Sequence, residues 1–307
     1  MEKVLLPNGL EVFCQNRAEL MHFYEDIFEK QIYVQRGIHL SNGARVFDVG
    51  ANAGTFTLFV QTSWPGAEIF AFEPAPPTFE ALSRNAARYA PRARLFNAGI
   101  SDQPGTAELT YYPLSTGMSS FHADEAEERE ALEAVLLNEA QRGDEGARAL
   151  LRHSEDYLEE RLKNETFTCR LMTLSEVIRR HGVEQVDLLK IDVQKCELEV
   201  LRGLEEEDWP RIGQVVVEVH DLEGRAAELR ELLELHGFEV DAVQDELYRG
   251  SIMYNVYGIR PGWRVRPNPG EKRPGRARGD IAGRAENQRR ALGGAAAMRN
   301  ARRRGGK

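Results

Sequence analysis

The run Val46-Phe47-Asp48-Val49-Gly50-Ala51-Asn52-Ala53-Gly54-Thr55-Phe56-Thr57 constrains the fold of this chain more than any other stretch. Val46 to Val49 is a short, mostly apolar segment of the length and composition of a buried strand. Gly50 and Gly54 bracket a tight turn whose backbone must approach another group closely. From Thr55 to Val60 the pattern resumes as a helix. The segment therefore reads as strand, loop and helix, and anything it binds lies at the carboxyl end of the strand. Asp48, Gly50, Asn52, Gly54 and Thr55 are the candidate binding residues of this unit.

Charge selects among ligands. A dinucleotide loop of the G-x-G-x-x-G type seats a pyrophosphate on a helix N-terminus, which requires free amides and no nearby carboxylate. This loop has the spacing Gly-x-x-x-Gly, with Asp48 two residues before the first glycine and no Lys or Arg inside it. A phosphate is repelled by such a turn. S-adenosylmethionine carries a sulfonium and an ammonium and no phosphate, so an acidic, glycine-lined turn suits it. An ordinary α/β turn whose glycines serve packing alone gives the same motif.

Two later strand ends extend the series. Glu68 to Phe72 reads as the second strand, and Glu73 follows Gly50 by 23 residues, where an acid accepts hydrogen bonds from ribose hydroxyls. Pro74 cannot continue the ladder, so the chain turns there. After a helix over 78–89, residues 93–98 read as a third strand, closing on Asn97-Ala98-Gly99-Ile100-Ser101-Asp102. That corner can hold an adenine ring, with Ile100 against its face and Asp102 accepting from its amine; otherwise Ser101 and Asp102 merely make a turn.

Further along, Val186 to Val193 and Val215 to Asp221 are buried runs that end in polar groups, alternating with helices. This alternation predicts an α/β fold, a parallel sheet with helices on both faces. Phe238 to Val240 and Ile252 to Ile259 read as a final antiparallel pair. Residues 1–40 form an N-terminal hairpin, signalled by Pro7-Asn8-Gly9, and a helix from Glu19 to Ile32. Residues 41–260 form the main domain. Residues 123–165 are a charged helical insertion, broken near Gly143 into two helices, which reads as a solvated face, a dimer arm or a lid. As a lid, its deletion impairs turnover more than donor binding.

The stretches Phe47-Asp48-Val49-Gly50-Ala51-Asn52-Ala53-Gly54, Phe72-Glu73-Pro74, Ser101-Asp102 and Leu188-Leu189-Lys190-Ile191-Asp192-Val193, in this order, resemble the FkbM family of S-adenosylmethionine-dependent methyltransferases. The resemblance covers residues 46 to 261. It implies a class I, Rossmann-like methyltransferase fold: a seven-stranded sheet with a C-terminal antiparallel hairpin. It also implies O-methylation of hydroxyls on sugars or natural products. After Val193 the family tends to show Glu-Gly-Ala-Glu, whereas this chain has Gln194-Lys195-Cys196-Glu197. Lys195 in place of glycine alters what approaches that edge.

Methyl transfer to a hydroxyl demands alignment and a base near the oxygen. His220, just past a central strand end, is the candidate base, helped by Asp192. The alternative is that His220 only begins the following turn. A divalent cation on Asp192, Glu218 and Asp221 would offer another way to ionise the hydroxyl; metal is not part of the leading reading.

Composition narrows the partners. The segment 261–307 holds 14 Lys and Arg against 3 Asp and Glu, leaving 26 against 46 in residues 1–260. So acidic a body disfavours nucleic acid as substrate; a small-molecule hydroxyl as the acceptor is what the family resemblance implies. The tail from 261 is rich in Arg, Gly, Ala and Pro without apolar periodicity. It reads as a basic disordered segment, dispensable for the reaction when the chain ends at Arg260. No apolar run suits a membrane span or a signal peptide, and Cys14, Cys169 and Cys196 form no C-x-x-C pair. A cytoplasmic protein with reduced thiols is expected, its oligomeric state left open. Two competing functions are an NAD oxidoreductase and a non-catalytic module that binds a partner through the insertion or the tail.

Overall fold

The computed structural model describes residues 1–267 except 142, 144, 152, 153, 223 and 245–251. The chain opens with a hairpin, β1 (Glu2–Leu5) and β2 (Glu11–Cys14), and continues through α1 (Arg17–Tyr24). There follow β3 (Arg45–Val49), α2 (Thr55–Ser63), β4 (Glu68–Phe72), α3 (Pro76–Tyr89) and β5 (Arg94–Phe96). Next come β6 (Gly99–Ile100), β7 (Gly105–Tyr111), the inserted helices α4 (Glu125–Gln141), α5 (Glu145–Leu150) and α6 (Ser154–Arg161), and β8 (Glu165–Met172). The remainder is α7 (Leu174–His181), β9 (Leu188–Asp192), α8 (Glu197–Arg202), β10 (Gln214–His220), α9 (Arg225–Leu235), β11 (Glu239–Val243) and β12 (Met253–Ile259).

Seven strands form the main sheet in the order β11-β12-β10-β9-β3-β4-β5. The five from β10 to β5 are parallel, and β12 runs antiparallel to both β10 and β11. The final antiparallel pair expected from the sequence is therefore present. Side chains alternate across β3. Phe47 and Val49 join Phe70, Phe72, Leu189 and Ile191 in the core on one face, while Val46 packs with Ile69, Ala71 and Leu188 on the other. A sheet buried on both faces explains why these strands read as nearly continuous apolar runs.

The order of the sheet reverses beside β3, which pairs with β4 on one side and β9 on the other. Crevices of this kind, beyond the carboxyl ends of the strands, are where open α/β sheets bind ligands. Gly50 stands at that reversal with φ +74°, and a Cβ there would lie 1.8 Å from the Asp192 carbonyl oxygen. The glycine is required because the ends of β3 and β9 nearly touch.

Four expectations need correction. The N-terminal helix does not reach Ile32: α1 ends at Tyr24, residues 25–30 widen into a π-helix, and Gln31 takes a left-handed conformation (φ 55°) that no continuous right-handed helix accommodates. The third strand stops at Phe96 because the Asn97 side chain turns back to donate to the Glu73 and Pro74 carbonyls, each at 2.9 Å. Gly99–Ile100 then pairs with β8 in a separate three-stranded sheet, β6-β8-β7. The insertion, which connects the antiparallel β7 and β8, shows three helices among its described residues rather than two.

Residues 261–267, counted with the tail, are anchored to the body. The Trp263 indole lies on Gly213, where a Cβ would come within 1.9 Å of it, and its Nε1 donates to Asp187 Oδ1 at 3.3 Å. Ser41 Oγ donates to the Arg266 carbonyl. The basic segment proper, 268–307, lies outside the described residues.

Candidate active site

The glycine turn is built on a buried ion pair. Asp48 is wholly buried at the end of β3, where Oδ2 accepts from Thr57 Oγ1 on α2 at 2.7 Å and Oδ1 lies 3.1 Å from Lys190 Nζ on β9. Lys190 also donates to the Gly50 carbonyl at 2.7 Å and stands 3.4 Å from Asp192 Oδ2. Its ammonium is stabilised by these carboxylates against the cost of burial. Asp48 therefore shapes the loop from below and is compensated by a lysine, not left as a bare charge facing solvent. Sequence reasoning assigned Lys190 no part in this pairing.

The loop and the second strand end meet at Glu73. Its Oε2 accepts the Asn52 backbone N–H at 3.0 Å and its Oε1 accepts the Ala75 N–H at 2.9 Å. Burial pushes this carboxyl up to about 7, against the downward pull of those two N–H groups and of Lys190. Asn52 sits in a left-handed conformation, φ 50°. Its Nδ2 donates to Thr116 Oγ1 at 2.9 Å, and Thr116 Oγ1 donates to Glu19 Oε2 at 2.7 Å. A chain of hydrogen bonds thus runs from Glu73 through the glycine loop to α1. Glu19 is pushed up by burial and accepts the Gly117 N–H at 3.0 Å. The sequence reading gave Glu19, Thr116 and Gly117 no role.

Gly54 ends the loop with φ +89°, and Thr55 begins α2, largely buried. At the third strand end, Ile100 faces inward on the core cluster that includes Phe72 and Met172. Ser101 and Asp102 lie nearer the surface, with Ser101 Oγ donating to Asp102 Oδ1 at 3.2 Å. The sequence series thus separates into loop and Glu73, which are hydrogen-bonded together, and the 100–102 corner, of which Ile100 belongs to the smaller sheet and Ser101 and Asp102 follow its strand.

His220, the last residue of β10, is 6 % exposed. Its Nδ1 lies 2.7 Å from Glu197 Oε1, the same oxygen that accepts the His220 backbone N–H at 3.1 Å. Asp192 is not its partner. Asp192 Oδ2 accepts from the Tyr33 hydroxyl at 2.8 Å and attends Lys190 instead. Glu218, in register with Asp192 on the neighbouring strand, is pushed well up by burial and by the Asp192 charge. Asp221 Oδ1 accepts the Ala226 N–H at the start of α9. Among the described residues no three His, Cys, Asp or Glu side chains converge as a metal site, so Asp192, Glu218 and Asp221 do not form the cluster that the cation alternative needs.

Lys195, one of three residues that depart from the family pattern at this turn, ties the insertion to this edge. Lys195, in a left-handed conformation (φ 64°), places its buried Nζ 2.7 Å from Glu127 Oε2 and 3.1 Å from Glu128 Oε1 of α4. Tyr112 Oη donates to the other Glu128 oxygen at 3.3 Å, and Ser120 Oγ donates to the Gln194 carbonyl at 2.8 Å. The insertion is thereby fastened beside the carboxyl end of β9.

A seven-stranded sheet in this order, a glycine turn at its reversal and an acid at the end of the adjacent strand define a class I methyltransferase. The model of the methyltransferase FkbM domain matches residues 48–240, and the chain belongs to that family. It is 42 % identical over 260 residues to the 31-O-demethyl-FK506 methyltransferase FkbM of Streptomyces tacrolimicus, covering 85 % of this chain and 97 % of that one. It is 41 % identical over 271 residues to the AMB antimetabolite synthetase AmbE of Pseudomonas aeruginosa, covering 85 % of this chain and 12 % of that much longer protein. Methyltransferase sdnD of Sordaria araneosa is 32 % identical over 249 residues, 78 % of this chain and 89 % of its own length. No helix among the described residues is long and apolar enough to cross a membrane, and all three cysteines are buried free thiols.

Proposed function

We propose that the protein is an S-adenosylmethionine-dependent O-methyltransferase of the cytoplasm, acting on a hydroxyl of a small natural product or sugar. The donor set supports the cofactor. Lys190, the cation at the sheet reversal, is buried and already engaged by Asp48, Asp192 and the Gly50 carbonyl, which leaves it unfit for a phosphate. Glu73, Ser101 and Asp102 offer acceptors to ribose hydroxyls and an adenine amine, and Gly50, Asn52, Gly54 and Thr55 offer backbone close to the methionyl part. Asp48 acts through the loop. When bound, S-adenosylmethionine supplies a methyl group on positive sulfur, which departs with the C–S electron pair as a neutral thioether.

The residues of this chain align the acceptor and take its proton. The acceptor oxygen forms the new C–O bond, and the hydroxyl proton passes to His220 Nε2, the ring nitrogen left over once Nδ1 is committed to Glu197. This pair at the end of β10 is the observation that carries the reading; the O-methyl specificity is further supported by the relative whose name specifies a 31-O-demethyl substrate. The test is transfer of labelled methyl from the donor to a panel of polyhydroxylated natural products and sugars. His220→Ala is expected to retain donor affinity within about twofold and lose at least tenfold in kcat. Unchanged kcat at saturating acceptor removes His220 as the base, and failure of the native protein to bind the donor by calorimetry removes the assignment altogether.

A further inference from the structure

We infer that Glu197 is a positioning residue for the methyl-transfer base: it holds His220 with Nδ1 protonated, so that Nε2 faces the acceptor hydroxyl with a free lone pair. The inference rests on the reading of His220 as the base and adds a residue to which the sequence reading gave no role.

The geometry is specific to such a role. Glu197 begins α8, immediately after the Lys195 turn, and its side chain is fully buried. One oxygen, Oε1, takes both the backbone N–H and the Nδ1 of His220. Two bonds from one residue to one oxygen fix the imidazole in position as well as in rotation. A carboxylate only accepts, so Nδ1 must be the protonated nitrogen. Among the described residues Nε2 has no hydrogen-bond partner.

The other oxygen, Oε2, is buried without a hydrogen-bond donor and lies 3.9 Å from Arg225 Nη1 of α9. Arg225 Nη1 itself donates to the Lys195 carbonyl. A buried carboxylate with one oxygen unsatisfied is costly unless its charge serves something. Here that charge stabilises the imidazolium formed when His220 receives the proton. Among the described residues, the ionisable groups that act on Glu197 are Arg225 from α9, Glu218 on the same strand as His220 and the Cys196 thiol just before α8; the register neighbour on β12, Met253, is uncharged.

Glu197→Gln tests this, because it keeps the shape and an acceptor oxygen and removes the charge. With the carboxylate gone, His220 binds its proton less tightly. The rise of kcat/KM with pH is then expected to move to lower pH, by roughly half a unit or more, while the plateau rate falls at least tenfold. Donor affinity and the unfolding midpoint serve as controls for the fold. In a His220→Ala background, Glu197→Gln is expected to change kcat less than twofold, since the residue acts only through the imidazole. An unmoved pH profile, or a full additional loss on top of His220→Ala, overturns the positioning role. Should His220→Ala alone leave kcat intact, it is the base assignment that falls. If Glu197→Gln fails to fold, Arg225→Met replaces it: with the cation 3.9 Å from Oε2 removed, His220 binds its proton more tightly and the rise of kcat/KM is expected to move to higher pH, an unshifted profile counting against the proposal.

Discussion

Lys190 and Asp48 stand on adjacent strands with Nζ and Oδ1 3.1 Å apart, in register across β3 and β9, and both side chains are buried. Two ions taken from water are repaid only when their geometry and further hydrogen bonds compensate the lost hydration. Thr57 on one side and the Gly50 carbonyl on the other supply that compensation. The pair therefore fixes the first crossover to the central strand before any ligand arrives. Lys190→Met is expected to destabilise the protein by about 3 to 5 kcal/mol, because Asp48 is left buried and uncompensated. Adding Asp48→Asn should recover part of the loss. Denaturant unfolding of the two variants measures both effects, and a single-variant loss below about 1 kcal/mol means the pair is dispensable.

Glu73 gives a pH signature of opposite sign to that of a salt-bridged carboxylate. Its folded pKa of about 7 lies above the usual 4.5 because burial disfavours the anion. Between those two values the native state binds the proton and the unfolded chain releases it, so stability is fully present below pH 4.5 and falls as pH rises to 7. The loss is at most about 3 kcal/mol. Glu73→Gln is expected to flatten this part of the stability profile. Equal slopes for the native protein and the variant, measured by chemical denaturation from pH 4.5 to 8, exclude Glu73 as the source.

The Lys195 contact predicts a local rather than a global effect. Its ammonium joins Glu127 and the buried Glu128 of α4 to the turn after β9. Lys195→Ala leaves the buried Glu128 without this cation. Amide exchange across 125–161 is expected to accelerate by about tenfold or more, with β9 and β10 unchanged. If those amides exchange at the native rate, α4 is held by something other than this ion pair.

Much of the sheet was legible because its strands are short apolar runs separated by helices, and because Gly50, Gly54 and Glu73 sit where a crossover demands them. The glycine spacing and the acid 23 residues later depend on backbone geometry, which sequence separation records. Partner choice among buried ions does not leave such a record. Asp192 looked suited to His220 because both lie at strand ends, yet Asp192 is taken by Tyr33 from the N-terminal segment, 159 residues away in sequence. Glu197 was visible only as the closing residue of the Gln194-Lys195-Cys196-Glu197 stretch. Nothing in its neighbours announces that the helix it begins faces the end of β10. Likewise, Gly99 and Ile100 read as part of the corner that closes the third strand, and only pairing shows that they belong to the smaller sheet.

The boundary after Arg260 makes the last prediction. Arg260 already binds the Ile212, Trp209 and His236 carbonyls, so a chain ending there keeps the closing strand β12 anchored. It loses the contacts of residues 261–267. Trp263 covers Gly213, Val265 packs on the core face that includes Val46 and Ile69, and Asp187 accepts from both the Trp263 indole and the Arg266 N–H. Removing an indole from a close fit and leaving buried Asp187 with fewer donors costs about 2 to 4 kcal/mol. In a body of this size that corresponds to a fall of roughly 5 to 10 °C in Tm. A chain ending at Pro267 retains all of these contacts and is expected to melt like the full-length protein. Calorimetry on the two truncations decides the matter: equal melting temperatures place the end of the folded domain at Arg260, and a lower value for the shorter chain places it at Pro267.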